Sequence, residues 1–159
     1  MEQTLFGLIY TIFYVILCIV FIRNFAEEKK LEGWVKLVYT LFWIVIVFLS
    51  SILLEKHLLL KSMMSLFSGV ILSLLLFSVK IFKITGLIIL YHGICFTSDY
   101  LILIFYNTIM SLGANFSNEG NVHNLLLGTI SQILVLFICI LISRLGKKRD
   151  FNLISIVEW

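Results

Sequence analysis

The sequence contains no proline and little charge. Charged residues make up only 13% of its 159 positions, whereas 61% are hydrophobic. A soluble domain has about 45–50% apolar and about 25% charged residues. The composition therefore excludes an ordinary soluble domain and predicts a polytopic membrane protein that uses lipid as part of its solvent. The absence of proline and the 14 phenylalanines fit long apolar helices.

Basic residues are missing from the first 22 positions. A cleavable signal peptide has a basic start, a short apolar core and a small-residue cleavage site. Here the first basic residue, Arg23, follows the apolar run. We therefore interpret residues 1–22 as a retained first span.

Cysteines and chemical motifs are also scarce. Cys18, Cys95 and Cys139 lie in apolar segments without a CxxC or another metal-ligand spacing, so we expect them to pack as small hydrophobic residues. The sequence has no P-loop and no HExxH motif, and its basic residues are explained by membrane topology. We expect no cofactor, no bound metal and no nucleic-acid partner.

Uncharged runs of one particular length dominate the chain. About 20 apolar residues in a helix cross the hydrocarbon core, and backbone groups in lipid need internal partners, which makes these spans helices. We predict one all-α integral membrane domain over residues 1–159. Its five spans are residues 3–22, 37–54, 62–79, 84–112 and 124–143, the fourth interrupted only by Asp99.

Loop charges predict the direction of these spans, because cytoplasmic loops carry an excess of Lys and Arg. With the N-terminus outside and the C-terminus inside, ten of the twelve basic residues face the cytoplasm; the opposite orientation leaves two there. We expect these loops to be solvated. Residues 144–159 form a basic cytoplasmic tail whose last segment, FNLISIVEW, is either interfacial or the start of a sixth span. The main topogenic residues are Arg23, Lys29, Lys30, Lys36, Arg144, Lys147, Lys148 and Arg149.

A polar stripe crosses the fourth span. His92, Cys95 and Asp99 are spaced at i, i+3 and i+7 and share a helix face. This face should point into the bundle, because a lipid-facing aspartate is disfavoured. Ser98 and, on the fifth span, Gln132 are further polar candidates. Four interpretations stay open: an interhelical hydrogen bond that fixes packing, a ligand or signal contact, a metal site, or a Cys–His hydrolase.

Four segments together carry a family likeness. They are the charged loop RNFAEEKKLEGWVK, the pair Ser98-Asp99, the run GTISQILVLFICILISRLGKKRD and the final FNLISIVEW. In these segments the chain resembles the membrane sensor region of Gram-positive receptor histidine kinases of the Agr/Com type, which have a GHKL-class ATPase domain. Those receptors commonly have Ser-Glu where this chain has Ser98-Asp99, and they tend to have Lys where it has Gln132.

The resemblance implies a multi-pass protein of a Gram-positive cell membrane. Such a quorum-sensing, two-component sensor binds an extracellular peptide, forms a homodimer and relays the signal by helix repacking to a kinase domain. The phospho-accepting histidine segment and the ATP-binding motifs do not occur in this sequence. On this resemblance it would be a receptor truncated before the kinase core, a fragment, or a stand-alone sensor-like protein, in each case without a kinase domain.

Rival interpretations stay open beside the sensor. One is a small membrane peptidase of signal-peptide maturation, with Cys95 as nucleophile and His92 as its base. Another is an accessory or immunity-type protein that binds a second membrane protein. A transporter or pore subunit is less favoured, because the sequence has no convincing internal repeat and one intramembrane acid.

Overall fold

Five long helices make up most of the chain that the structure describes. The computed structural model describes residues 2–54, 56–111 and 120–148. Within these ranges there is no β-strand, and each helix contains a stretch long and apolar enough to span a membrane. The all-α fold class and the five apolar spans are therefore confirmed. In chain order the helices are α1 (Glu2–Arg23), α2 (Gly33–Leu53), α3 (Leu58–Leu76), α4 (Ile81–Ser111) and α5 (Gly120–Lys148).

The helix ends differ from the predicted span ends where lysines are involved. α2 starts before Lys36 and α4 starts before Lys83, although the predicted spans began after these residues. A lysine near a helix end can extend its ammonium group to the membrane surface while its stem covers apolar residues. α3 instead stops at Leu76, because Phe77 takes an extended backbone conformation.

The helices pack as a closed ring. Each helix contacts the next one in the chain, α5 returns to contact α1, and α1 also contacts α4. Residues 24–32, 54–57 and 77–80 are short connections, so the helices they join run antiparallel. We call the end with the start of α1 and the 54–57 connection the N-terminal end, and the end with the other two connections the basic end.

An apolar core fills the half of the bundle nearer the basic end. Its large side chains come from the second half of α1, the middle of α2, the junction after α3 and the first half of α4. Outward-facing Leu, Ile and Phe side chains cover the outside of the ring, as expected for a surface in contact with lipid. The largest fully buried side chains are Trp43, Tyr91, Phe21, Phe77, Ile22, Ile84 and Ile88.

The connection formed by residues 24–32 packs against the end of α3. The backbone N–H of Lys29 donates to the Leu76 carbonyl at 2.9 Å, and its Nζ donates to the Leu74 carbonyl at 2.6 Å. The last carbonyls of a helix have no partner within the helix, and a cation near them complements the helix dipole. The expectation of a solvated loop therefore holds only in part at Lys29, which is half-buried against α3.

Glu28 joins the same connection to α1 and α2. Its carboxylate lies 3.1 Å from Arg23 Nε and 2.5 Å from Lys36 Nζ. The hydrogen bond from Lys36, aided by the attraction of both cations, holds the pKa of Glu28 below its ordinary value. Two residues predicted from charge alone as topogenic therefore also have a structural role.

Among the remaining topogenic residues, the exposure of Lys30 and Arg144 is described. Lys30 is exposed in the 24–32 connection, and Arg144 is exposed near the end of α5. Lys147 and Lys148 belong to the last turn of α5. Arg149 and the FNLISIVEW segment lie outside the described residues, so a sixth span remains a prediction.

Candidate ligand-binding cavity

A cavity of about 980 Å³ occupies the half of the bundle nearer the N-terminal end. Side chains of all five helices line it, and α1 contributes the largest share, including Phe6, Tyr10, Phe13 and Tyr14. Ligand pockets have volumes of about 300–1,000 Å³ and apolar walls with a few well-placed polar groups. The size and lining of this cavity fit that description.

The polar face of α4 borders the cavity. His92, Cys95 and Asp99 all line it, so the i, i+3, i+7 spacing does direct these residues to the bundle interior. Ser98 lies elsewhere: it is fully buried, it is not part of the cavity wall, and its hydroxyl has no hydrogen-bond partner. All three residues of the polar stripe therefore line the cavity, whereas Ser98 is buried beside it.

Asp99 connects α4 to α5. The buried Ser131 hydroxyl of α5 donates a hydrogen bond to the Asp99 carboxylate. A carboxylate offers about four lone-pair positions, and Asp99 remains exposed. Because bare carboxylates are disfavoured in hydrocarbon, this arrangement calls for water or a polar ligand in the cavity.

Gln132 follows Ser131 and also lines the cavity. It is only 8% exposed, and neither its Nε2 nor its Oε1 has a hydrogen-bond partner. The Tyr10 hydroxyl of α1 lies nearby. The sequence suggested an interhelical polar contact here, and Tyr10 of α1 is the residue that interacts with this amide, although no hydrogen bond of ordinary length is formed.

A hydrogen-bonded cluster forms the floor of the cavity. The Tyr14 hydroxyl lies 2.7 Å from His92 Nε2, and the Ser65 hydroxyl lies 3.3 Å from both of these atoms. His92 Nδ1 lies 3.0 Å from the Ile88 carbonyl. We assign Nδ1 as the protonated donor, so that Nε2 accepts from Tyr14. The cluster joins α1, α3 and α4 at the boundary between the cavity and the apolar core.

This geometry gives little support to catalysis by Cys95. Both ring nitrogens of His92 are occupied by the floor cluster, and the Cys95 thiol lies beside the Tyr91 hydroxyl. A cysteine nucleophile needs a base within hydrogen-bond reach. Within the part of the chain that the structure describes, no three His, Cys, Asp or Glu side chains are placed to hold a metal ion. Cys95 therefore fits best as a residue of the cavity wall.

Sequence reasoning missed the contribution of α1 and α3. Tyr10 and Tyr14 are four residues apart, so they share one face of α1, and Ser65 faces them from α3. Paired tyrosines in an otherwise apolar span were an available signal for a polar contact. Ser65 has no comparable signal, because serine is common in membrane helices that only pack.

Known proteins give this cavity no assignment. Comparisons with models of known protein families, with curated protein sequences and with solved structures find no match for this chain. The likeness to the Agr/Com-type sensors therefore rests on the sequence segments quoted for it. Function has to be argued from the cavity itself.

Proposed function

We propose that this chain is a sensor or receptor-like membrane domain that binds an extracellular signal in the central cavity and relays it by helix repacking. The observation that carries this proposal is that all five helices line one cavity. A ligand held there touches every helix. It can therefore favour one packing of the bundle over another through differential contacts.

The orientation predicted from the loop charges supports an extracellular opening. In the topology that places most basic loops inside the cell, the N-terminal end of the bundle, and with it the cavity, faces outward. The basic end, with Lys29 and Lys36, then faces the cytoplasm. A Gram-positive cell membrane, a peptide signal and a homodimer belong to this proposal through the family resemblance.

Two polar contacts offer a route for the relay. A ligand that bonds to Asp99 competes with Ser131, which alters the contact between α4 and α5. The floor cluster around His92 joins three helices below that level. Farther along, the 24–32 connection couples the end of α1 to the end of α3 through Lys29. A shift in the cavity can reach the basic end through these joined elements.

A single-cysteine labelling experiment tests the cavity and its orientation. Cys18 and Cys139 are replaced by alanine, which leaves Cys95 as the only thiol, and a membrane-impermeant maleimide is added outside intact cells that express the full chain. We expect Cys95 to be labelled. The matched control keeps only Cys139, which is buried to a similar degree but lies outside the cavity wall, and should react far more slowly. Equal rates, or no labelling of Cys95, would contradict the proposal.

A second measurement tests the signal and the relay. Peptide fractions from Gram-positive culture supernatants are added to the Cys95-only protein, and in parallel to a cysteine-free background carrying Ser78→Cys at the basic end. We expect one fraction to slow labelling of Cys95 and also to change labelling at position 78. Asp99→Asn should weaken both responses. Protection of Cys95 with an unchanged position 78 in every active fraction would refute the relay.

A further inference from the structure

The buried amide of Gln132, which forms no hydrogen bond of ordinary length, indicates which kind of ligand group the cavity would bind. Nearly all buried polar groups in native proteins have hydrogen-bond partners, yet both polar atoms of this side chain have none. The residue is 8% exposed and lines the cavity. A planar primary amide presents a donor and an acceptor side by side. Its natural complement is a group that presents an acceptor and a donor in the same arrangement.

Common head groups differ in how well they meet this requirement. A carboxylate only accepts, so it would leave Oε1 unsatisfied, and the cavity wall carries both the Asp99 carboxylate and the Lys61 ammonium, so charge alone does not decide for or against it. An ammonium only donates, so it would leave Nε2 unsatisfied. A hydroxyl donates and accepts at one atom and cannot face both amide atoms squarely. An amide group satisfies both atoms of Gln132 at once.

We propose that Gln132 pairs side by side with an amide group of the ligand and thereby makes the cavity selective for amide-bearing amphiphiles. This inference rests on the proposed function, because it assumes that the cavity holds a ligand. The aromatic side chains of α1 that line the cavity contact the apolar part of that ligand, and Gln132 hydrogen-bonds to its amide group. A peptide is one such molecule, but the selectivity belongs to the amide group itself.

Three other partners for Gln132 are built into the test. The Tyr10 hydroxyl of α1 interacts with the amide and could satisfy one of its two polar atoms. Ser98 on the neighbouring helix α4 also has a buried hydroxyl without a partner, and water in the cavity is the third. Pairing with Tyr10 or Ser98 makes Gln132 a packing residue, and pairing with water makes it indifferent to the ligand's head group.

The experiment compares four probes that share a six-carbon chain: hexanamide, hexanol, hexanoate and hexylamine. Each is titrated against alkylation of the Cys95-only protein in lipid nanodiscs, and the half-protecting concentration is measured. We expect hexanamide to protect at a concentration about tenfold lower than hexanol, since it adds one well-made hydrogen bond. Gln132→Leu should erase that difference, whereas Ser98→Ala should leave it unchanged. Gln132→Met, which keeps an unbranched side chain of similar length without the amide, should erase the difference as well and provides a second variant in case leucine disturbs folding.

The outcomes separate this inference from the proposed function. If none of the four probes protects Cys95, or if Cys95 cannot be alkylated, the cavity is not an accessible ligand site and both ideas fall. If all four protect Cys95 equally, the cavity binds apolar chains and the amide selectivity alone is refuted. If Ser98→Ala removes the preference as fully as Gln132→Leu does, Gln132 acts through helix packing and the inference is again refuted.

Discussion

Replacement of Lys29 by methionine should weaken the basic end of the bundle. Lys29 Nζ is half-buried and donates to the Leu74 carbonyl at 2.6 Å, in the last turn of α3. A hydrogen bond from a charged group contributes about 1.5–3 kcal/mol to stability, and partial exposure reduces this value. We expect Lys29→Met to lower the free energy of unfolding by about 1–2 kcal/mol. Methionine keeps an unbranched apolar side chain, so the change mainly removes the ammonium group.

Lys30→Met is the matched control. It removes the same charge from the same connection, with the same effect on loop charge and hydropathy, but Lys30 is exposed. We expect it to change the free energy of unfolding by less than about 0.5 kcal/mol. The backbone hydrogen bond from Lys29 to Leu76 is kept in both variants.

The assay is reversible unfolding in mixed micelles, with SDS as denaturant and helical circular dichroism as the signal. The difference between the two variants measures the Lys29 side-chain bond alone, because loop charge cancels. Equal losses of stability in Lys29→Met and Lys30→Met would refute the docking of this connection on α3 and restore a purely topogenic role for both lysines.

Three further changes can be followed by the same titration. Gly69→Leu should lower the free energy of unfolding by about 1–3 kcal/mol through overpacking, because a Cβ at Gly69 would already lie 3.4 Å from side chains of α2 and α4. Gly86→Leu is the control and should be tolerated, since nothing lies within 4 Å of its Cβ position. Equal effects of the two substitutions would contradict this packing. Tyr91→Phe should lower the free energy of unfolding by about 0.5–1.5 kcal/mol, because Tyr91 is fully buried and its hydroxyl donates to the Tyr14 carbonyl of α1 at 2.8 Å. An unchanged free energy of unfolding would argue against that hydrogen bond. Lys36 lowers the pKa of Glu28, so the stabilisation by Glu28 is present above the ordinary glutamate pKa and is lost as the pH falls through the lowered value. Glu28→Gln should remove that loss between neutral and acidic pH, and an unaltered acid dependence would exclude this residue as its source.

The number and the type of the spanning elements could be predicted from sequence because they depend on local quantities. Run length and hydropathy decide whether a segment can cross a bilayer, and neither depends on the neighbouring helices. The ends of the helices were less predictable. The predicted second span began after Lys36, at residue 37, whereas α2 begins four residues earlier, at residue 33. A helix can continue through a lysine whose side chain extends to the membrane surface.

The cavity was only partly predictable. Helical spacing placed His92, Cys95 and Asp99 on one face, and that face does border the cavity. Which residues of the other helices contact them depends on how the helices are arranged in the ring, and that arrangement cannot be inferred from the residue pattern of a single sequence. The Tyr14 and Ser65 contacts with His92 and the Ser131 contact with Asp99 therefore became visible only in the structure.

The division of the bundle into a hollow half and a packed half has a consequence for permeability. Water that enters the cavity reaches the floor cluster of Tyr14, His92 and Ser65 and then meets a layer of closely packed rings and branched side chains, including Phe21 and Ile88. That layer closes the centre of the ring below the cavity. Under the proposed function, a ligand in the cavity is therefore separated from the basic end by close packing, which fits reception of a signal better than ion conduction.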